Sequence, residues 1–393
     1  MIVAGAGPAG SMAARLLANR GARVLLLDKQ RFPRDKPCGG GVTLRAAALL
    51  DIDLSPVIER TIHGARFTLR LGEAFDRRFE QPLTYMTQRS RLDAYLAEQA
   101  AAAGAEFRDG VAVREIDPAF NGTSSLKSTV RTDGDTYTAQ ILIGADGANG
   151  LVGRTLGLRP EYEEAVALEG NIPYTPDIPA EWRDVFGLDL GGMTGGYGWV
   201  FPKGDHLNVG VGGWKAIVGS QLRGELDRLC RAYGLDPAAM VQLRGHHLPM
   251  MRPGTALSAG GALLVGDAAG FVDPLSGEGI YQAIASGIAA GAALDGYLGG
   301  ETETLAGYQR TVERELLPEV VASQALTEIF HVWPRPFVTL MQRSGRFWNA
   351  MSETLTGQRT IEGMVQSTGP LAYALEPLAR LARRFNERRY GRR

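Results

Sequence analysis

The stretch Ile2-Val3-Ala4-Gly5-Ala6-Gly7-Pro8-Ala9-Gly10 decides the fold. It reads as an apolar strand, a G-x-G-x-x-G turn and the start of an apolar helix. In such a turn Gly5 permits the tight bend and Gly7 lets a pyrophosphate approach the backbone. Gly10 lets helix and strand pack closely. The helix N-terminus then offers N–H groups and the positive end of its dipole to the phosphates. The next strand, Arg23-Val24-Leu25-Leu26-Leu27-Asp28, ends in a carboxylate 18 residues past Gly10, where a ribose hydroxyl partner belongs. Any adenine dinucleotide would suit these residues alone.

Further motifs narrow the choice. Ala262-Leu263-Leu264-Val265-Gly266-Asp267 again runs a strand into a carboxylate. Ile141-Leu142-Ile143-Gly144-Ala145-Asp146-Gly147, with Arg154 beyond it, and Gln88-Arg89-Ser90-Arg91-Leu92-Asp93 lie between the two. This ordered set resembles the p-hydroxybenzoate hydroxylase-like FAD flavoproteins, which include aromatic hydroxylases, flavin halogenases and geranylgeranyl reductases. Two more segments resemble the geranylgeranyl reductase family in particular. One is Asp35-Lys36-Pro37-Cys38-Gly39-Gly40-Gly41, a cysteine-glycine loop. The other is Tyr197-Gly198-Trp199-Val200-Phe201-Pro202, a Y-x-W-x-F-P motif, and Asp273-Pro274-Leu275-Ser276-Gly277-Glu278-Gly279-Ile280 is similar to the flavin loop of that family. The chain departs from the family pattern at Thr194, where a proline is usual, and at Asp28, where many relatives have Glu. Its first strand begins at the initiator, which fits a start placed late.

The resemblance implies an α/β (α+β) protein with a Rossmann-like FAD-binding domain, a mixed β-sheet substrate domain and a C-terminal helical segment. It implies FAD contacts at Gly5, Gly7, Ala9, Gly10, Asp28, Cys38, Gly39, Gly41, Arg89, Val113, Asp146, Asp267, Gly277, Gly279 and Ile280. Cys38, Tyr197 and Trp199 are the implied catalytic residues.

Composition bounds the rest. At 393 residues, two or three domains are expected, and 45% hydrophobic residues supply a sizeable core. A net charge of −1 offers no field to recruit nucleic acid. Cys38 and Cys230 form neither a C-x-x-C nor a metal spacing, as suits a reducing cytoplasm. The five histidines show no metal-binding pattern, and His246 and His247 on one strand would face opposite ways, so no metal is expected. No G-x-S-x-G elbow supports a Ser-His-Asp hydrolase. No basic leader with a cleavage site precedes the first strand, and no run of about 18 apolar residues could span a bilayer.

Along the chain, residues 1–60, 85–157 and 255–300 read as a discontinuous FAD-binding domain. Residues 61–84 and 158–254 read as a mostly antiparallel sheet domain, and 301–393 as helical. The spacing predicts a helix over 88–103, a hairpin turning at Asp133-Gly134 and a long helix from about Gly279.

The resemblance implies hydride transfer from reduced FAD to one carbon of an isolated isoprenoid C=C, with a proton going to the other. Such a bond has no carbonyl to polarise, so an apolar tunnel must align it. Tyr197, Trp199 and Phe201 share one strand face. They read either as tunnel wall or, from spacing alone, as core. Cys38 reads as a flavin contact or proton-delivery group, or as an inert loop thiol. Glu278 reads as a proton relay or a helix-terminus partner. The resemblance implies a prenyl lipid, a quinone or a prenyl diphosphate as substrate. The electron donor, NAD(P)H or ferredoxin, has no second dinucleotide fingerprint. A monooxygenase or halogenase acting on an aromatic substrate is the alternative, and a flavoprotein without turnover is a third reading. At the C-terminus, Leu378, Leu381, Ala382 and Phe385 recur at helical spacing among Arg380, Arg383, Arg384, Arg388 and Arg389. Such a helix can lie on the inner face of a membrane or pack on the protein by its leucines.

Overall fold

A computed structural model describes residues 1–118, 127–158, 162–298 and 305–390. A six-stranded sheet runs in the order 258–259, 262–264, 142–144, 2–4, 25–27, 106–108. Its strands are parallel apart from the 258–264 hairpin. Val3 stands beside Leu26 on one side and Ile143 on the other. Ile2–Ala4, Leu142–Gly144 and Ala262–Leu264 are buried at every position. That is the burial of a parallel sheet covered on both faces, and it explains why these strands are apolar runs without alternation.

Helix Pro8–Asn19 follows the first strand, with proline presetting the first turn. Gly5 has φ +108, and a Cβ there would sit 2.2 Å from the carbonyl oxygen of Ala145. A Cβ on Gly10 would sit 1.9 Å from the Gly5 oxygen. Gly7 differs. Its backbone is extended, and among the described residues the only atom a Cβ would meet within 4 Å is Arg34 Nη2 at 3.6 Å. Gly5 and Gly10 therefore serve the fold, whereas Gly7 leaves an open face. Helix Ile280–Leu298 packs on Pro8–Asn19, and a Cβ at Gly287 would lie 2.5 Å from the Ala9 oxygen.

A seven-stranded sheet has the order 241–251, 162–173, 206–214, 197–202, 185–190, 64–69, 75–78. Every pair is antiparallel except 185–190 with 64–69. Helix Leu222–Ala232 buries Leu222, Leu226, Leu229 and Cys230 in a core shared with Val200, Val209 and Val211 of this sheet. Strands Gly41–Thr43, Thr84–Met86 and Arg60–Ile62 form a small sheet. The expected hairpin turns at 133–135, between Ser128–Thr132 and Thr136–Ala139. Helix Arg89–Ala102 occupies its expected place.

The C-terminal region is helical, from Ala306–Glu315 through Leu317–Val332, Pro334–Arg343, Gly345–Thr356 and Ile361–Gln366 to Ala372–Tyr390. Residues 302–304 and 391–393 lie outside the described residues. The last helix packs on Leu317–Val332 through Ala379, Ala382 and Asn386. Asn386 Nδ2 donates to Glu328 Oε2 at 2.8 Å. Leu378, Leu381 and Phe385 stay 42%, 57% and 46% exposed. The leucines thus do not dock this helix, because its small-residue face does.

The contrast between Gly7 and Gly10 is testable. Gly10→Val forces a side chain into backbone, an overpacking worth roughly 1–3 kcal/mol or more, and should give little folded protein. Gly7→Val should, with flavin removed from both proteins, melt cooperatively near the wild-type temperature, yet purify with several-fold less flavin. Full flavin content in folded Gly7→Val would contradict the assignment of this turn.

Candidate cofactor and active site

One cavity of about 940 Å³ is lined by both large sheets and the C-terminal helices. Its groove end starts at the Gly5–Gly7 turn. Asp28 closes the second strand and accepts the Ala6 and Gln30 N–H groups, each at 2.9 Å. Arg34 reaches over this turn, with Nη1 2.7 Å from Asp93 Oδ2 and Nη2 3.5 Å from Asp28 Oδ2. Arg89, at the start of its helix, is 5% exposed and forms a bidentate pair with Asp93 at 2.8 and 2.7 Å. Asp146 accepts the N–H groups of Leu151 and Val152, and burial pushes its carboxyl above the usual range against those donors. Its Oδ1 is buried with no hydrogen-bond partner among the described residues.

Farther along, Asp267 follows strand Ala262–Leu264 and lies 2.6 Å from Lys36 Nζ and 3.7 Å from His246 Nε2. Burial opposes its ionisation, yet Lys36 and His246 outweigh that and hold the carboxyl well below the usual range. The 273–279 loop is pinned from several sides. Asp273 Oδ1 accepts the Leu275 and Ser276 N–H groups at 3.0 and 2.7 Å. Thr327 Oγ1, from a C-terminal helix, donates to the Pro274 carbonyl at 3.0 Å. Tyr197 donates its hydroxyl to the Ser276 carbonyl. Burial first, then Asp273 and Glu278, push the Tyr197 phenol up, so it stays neutral. Glu278 is held by Thr43 Oγ1 at 2.6 Å and Arg45 Nη2 at 2.5 Å. It clamps the loop to helix Leu44–Ala48.

The aromatic row has the predicted period. Tyr197 and Trp199 have ring centroids 6.1 Å apart, and Trp199 and Phe201 6.3 Å. All three line the cavity. Trp199 is also structural, since Nε1 donates to Asn208 Oδ1 at 2.8 Å and the ring lies over Gly210. The cysteine loop rests on this row, for a Cβ on Gly39 would come within 2.7 Å of Phe201. The Cys38 N–H donates to Glu169 Oε1 at 2.6 Å, and the Gly40 N–H approaches Cys38 Sγ at 3.3 Å. Buried Lys203 donates to the carbonyls of Gly39 and Thr87, the latter at 2.9 Å. Burial raises the Glu169 carboxyl to about 7, against the Cys38 N–H and Lys203, and pulls the Lys203 ammonium down to about 8.

Beyond the aromatic row the wall is apolar. Phe67, Phe186 and Leu188 come from the seven-stranded sheet; Phe330, Phe337, Met341, Trp348 and Met351 come from C-terminal helices. Trp348 is fixed by its Nε1 bond to the Arg78 carbonyl at 2.8 Å and an edge contact to Phe67.

The structure gathers Gly5, Gly7, Ala9, Asp28, Cys38, Gly39, Gly41, Arg89, Val113, Asp146, Tyr197, Trp199, Asp267, Gly277, Gly279 and Ile280 around this cavity. Gly10 lies behind the wall, against Gly5 and Ala145. Sequence reasoning missed Arg34, Lys36, Glu169 and Lys203. A charged residue ending the small-residue row Ala165-x-Ala167-x-Glu169 was the available signal for Glu169. The residues fit FAD. The open Gly7 face and Arg34 suit a pyrophosphate, and Asp28, Asp146 and Asp267 are acceptors for hydroxyl groups along one groove.

Fold and groove together define an FAD-dependent oxidoreductase. A family model for an FAD binding domain matches residues 1–186. Menaquinone reductase of Mycolicibacterium smegmatis is 30% identical over 408 residues, covering 97% of this chain and 90% of that protein. Digeranylgeranylglycerophospholipid reductase of Methanothrix thermoacetophila is 30% identical over 348 residues, covering 84% and 87%. The crystal structure of a geranylgeranyl bacteriochlorophyll reductase-like protein from Thermoplasma acidophilum superposes with a TM-score of 0.75 at 24% identity, covering 96% and 98%. A flavin-dependent brominase shares the fold with a TM-score of 0.71 at 19% identity, covering 91% and 92%. The chain belongs to the geranylgeranyl reductase family of FAD-dependent oxidoreductases.

The Glu169 environment sets a pH dependence of stability. Its folded pKa, about 7, stands above the ordinary 4.5, so the native state binds the proton more readily. The stability it contributes is complete below the unfolded value and is lost as pH rises through about 7, a change on the order of 3 kcal/mol. Urea unfolding of wild type and Glu169→Gln at pH 5 and pH 8 should show the variant gaining relative stability at the higher pH. An unchanged difference would refute the assignment.

Proposed function

We propose that this enzyme reduces isolated C=C bonds of a prenyl chain carried on a lipid, a quinone or a diphosphate. The observation that carries the reading is the apolar chamber continuous with the flavin groove, walled by Phe67, Phe186, Phe337, Met341 and Trp348. Reduced FAD, when bound, supplies hydride. The chain's own residues align the alkene, because nothing on such a bond can be polarised. Trp199, Tyr197 and Phe201 form a rigid wall that excludes water and offers ring faces and edges to a branched chain. The Glu169 carboxyl, raised to about 7 by burial, is a group of this wall able to hold a proton near neutral pH, and the Cys38 thiol stands beside it. The electron donor is NAD(P)H or reduced ferredoxin, docking transiently.

Anaerobic reoxidation tests the reading. Dithionite-reduced enzyme mixed with a prenyl diphosphate or prenyl lipid should regain its oxidised flavin spectrum without oxygen. Reoxidation that required air and left a hydroxylated or halogenated aromatic product would instead support the monooxygenase or halogenase alternative.

The substrate class also suits the final helix. Its exposed Leu378, Leu381 and Phe385 lie among Arg380, Arg384, Arg388 and Arg389, and each basic residue near an anionic surface is worth roughly 1 kcal/mol. The enzyme then works peripherally on the cytoplasmic face of a membrane. It should float with phosphatidylglycerol vesicles at low salt, and Leu381→Asp with Phe385→Asp should abolish flotation without lowering flavin content. Absence of flotation by the wild type would end the membrane assignment.

A further inference from the structure

Two buried ionisable side chains grip the backbone of the cysteine segment. Glu169 takes the Cys38 N–H at 2.6 Å, while Lys203 donates to the Gly39 carbonyl and, at 2.9 Å, to that of Thr87. A β-bulge between Glu169 and Asn171 breaks the strand register beside Glu169, a local device that re-aims side chains. Neutral side chains could satisfy the same backbone groups, and burying charges is costly. Charge-assisted bonds are shorter and about twice as strong as neutral ones. Those properties suit a loop that must be held firmly.

We propose that Glu169 and Lys203 are positioning residues: from two sides they lock the Cys38–Gly40 backbone against the Phe201 ring and so fix where the Cys38 thiol stands. The inference rests on the FAD reading only in calling that place the flavin end of the cavity.

The groups around Glu169 set its response to pH. The Cys38 N–H, Lys203 and the Asn208 amide on the adjacent strand favour its charge, and Asp35 opposes it. Across the other edge stands Arg244, which pairs with Asp35 at 2.7 Å, and His246 faces Asp267 instead. With burial dominant, Glu169 changes charge near neutral pH. The grip is therefore firm above that point, where the carboxylate is ionised, and looser below it.

Iodoacetamide labelling of Cys38 in the FAD-loaded full-length enzyme, followed by peptide mass spectrometry, tests this. Cys230, fully buried, reports folding in the same sample. Glu169→Ala should label at Cys38 about tenfold faster than wild type at pH 8, the order of effect of losing one charge-assisted backbone bond. Cys230 should remain protected and flavin content native. Glu169→Gln keeps an acceptor without the charge. The ratio of its labelling rate to that of wild type should be near unity at pH 5.5 and rise above pH 7. Equal Cys38 labelling in wild type and folded Glu169→Ala, or a ratio that does not change with pH, overturns the proposal. If Glu169→Ala loses protection at Cys230, the Glu169→Gln ratio decides. Labelling is read without substrate, so failure of every prenyl compound to reoxidise the flavin would count against the functional reading alone.

Discussion

The contact of Phe201 with Gly39 is the constraint on which the site depends. A Cβ on Gly39 would lie 2.7 Å from the ring, so only glycine lets the loop lie flat on the aromatic row. That contact brings the loop after the second dinucleotide strand against the seven-stranded sheet. Once the loop is seated, Cys38 meets Glu169, Gly39 meets Lys203, and the groove opens into the apolar chamber. The 273–279 loop is tied into the same junction by Tyr197, Arg45 and Thr327, one from each surrounding unit.

The division of labour within the cavity follows from its electrostatics. The groove end is rich in charge, with Asp28, Asp93 and Asp267 answered by Arg34, Arg89 and Lys36. Paired, largely buried ions of this kind contribute little net stability. They do provide a prearranged set of donors and acceptors for a charged, hydroxyl-rich cofactor. The chamber end, among the described residues, is bounded chiefly by rings and thioethers that accommodate irregular apolar shapes.

Much of this was legible in the sequence where the signal was local. The turn at Gly5–Gly10, the hairpin at Asp133-Gly134 and the helix from Arg89 each follow from a short-range rule of backbone geometry or periodicity. The row Tyr197, Trp199 and Phe201 was legible as a face, although spacing could not say whether the face met solvent, core or cavity. Glu169, Lys203 and Arg34 were not legible, because their partners Cys38, Gly39 and Asp93 lie far away in sequence and no periodicity links them. The C-terminal helices carry no cofactor motif, yet Phe337, Met341 and Trp348 wall the chamber. The final helix showed its leucines at the right spacing, but which face would dock depended on Glu328, whose carboxylate receives Asn386.

The proposed function places the prenyl chain in the chamber between the aromatic row and the C-terminal helices. A photoreactive geranylgeranyl analogue, diazirine-bearing at its distal end and irradiated in the FAD-loaded enzyme, tests this most directly. Covalent labels, mapped by peptide mass spectrometry, should fall on residues 330–351 and be competed away by unlabelled prenyl substrate. Labelling confined to the exposed face of the final helix, or insensitive to competitor, would contradict it.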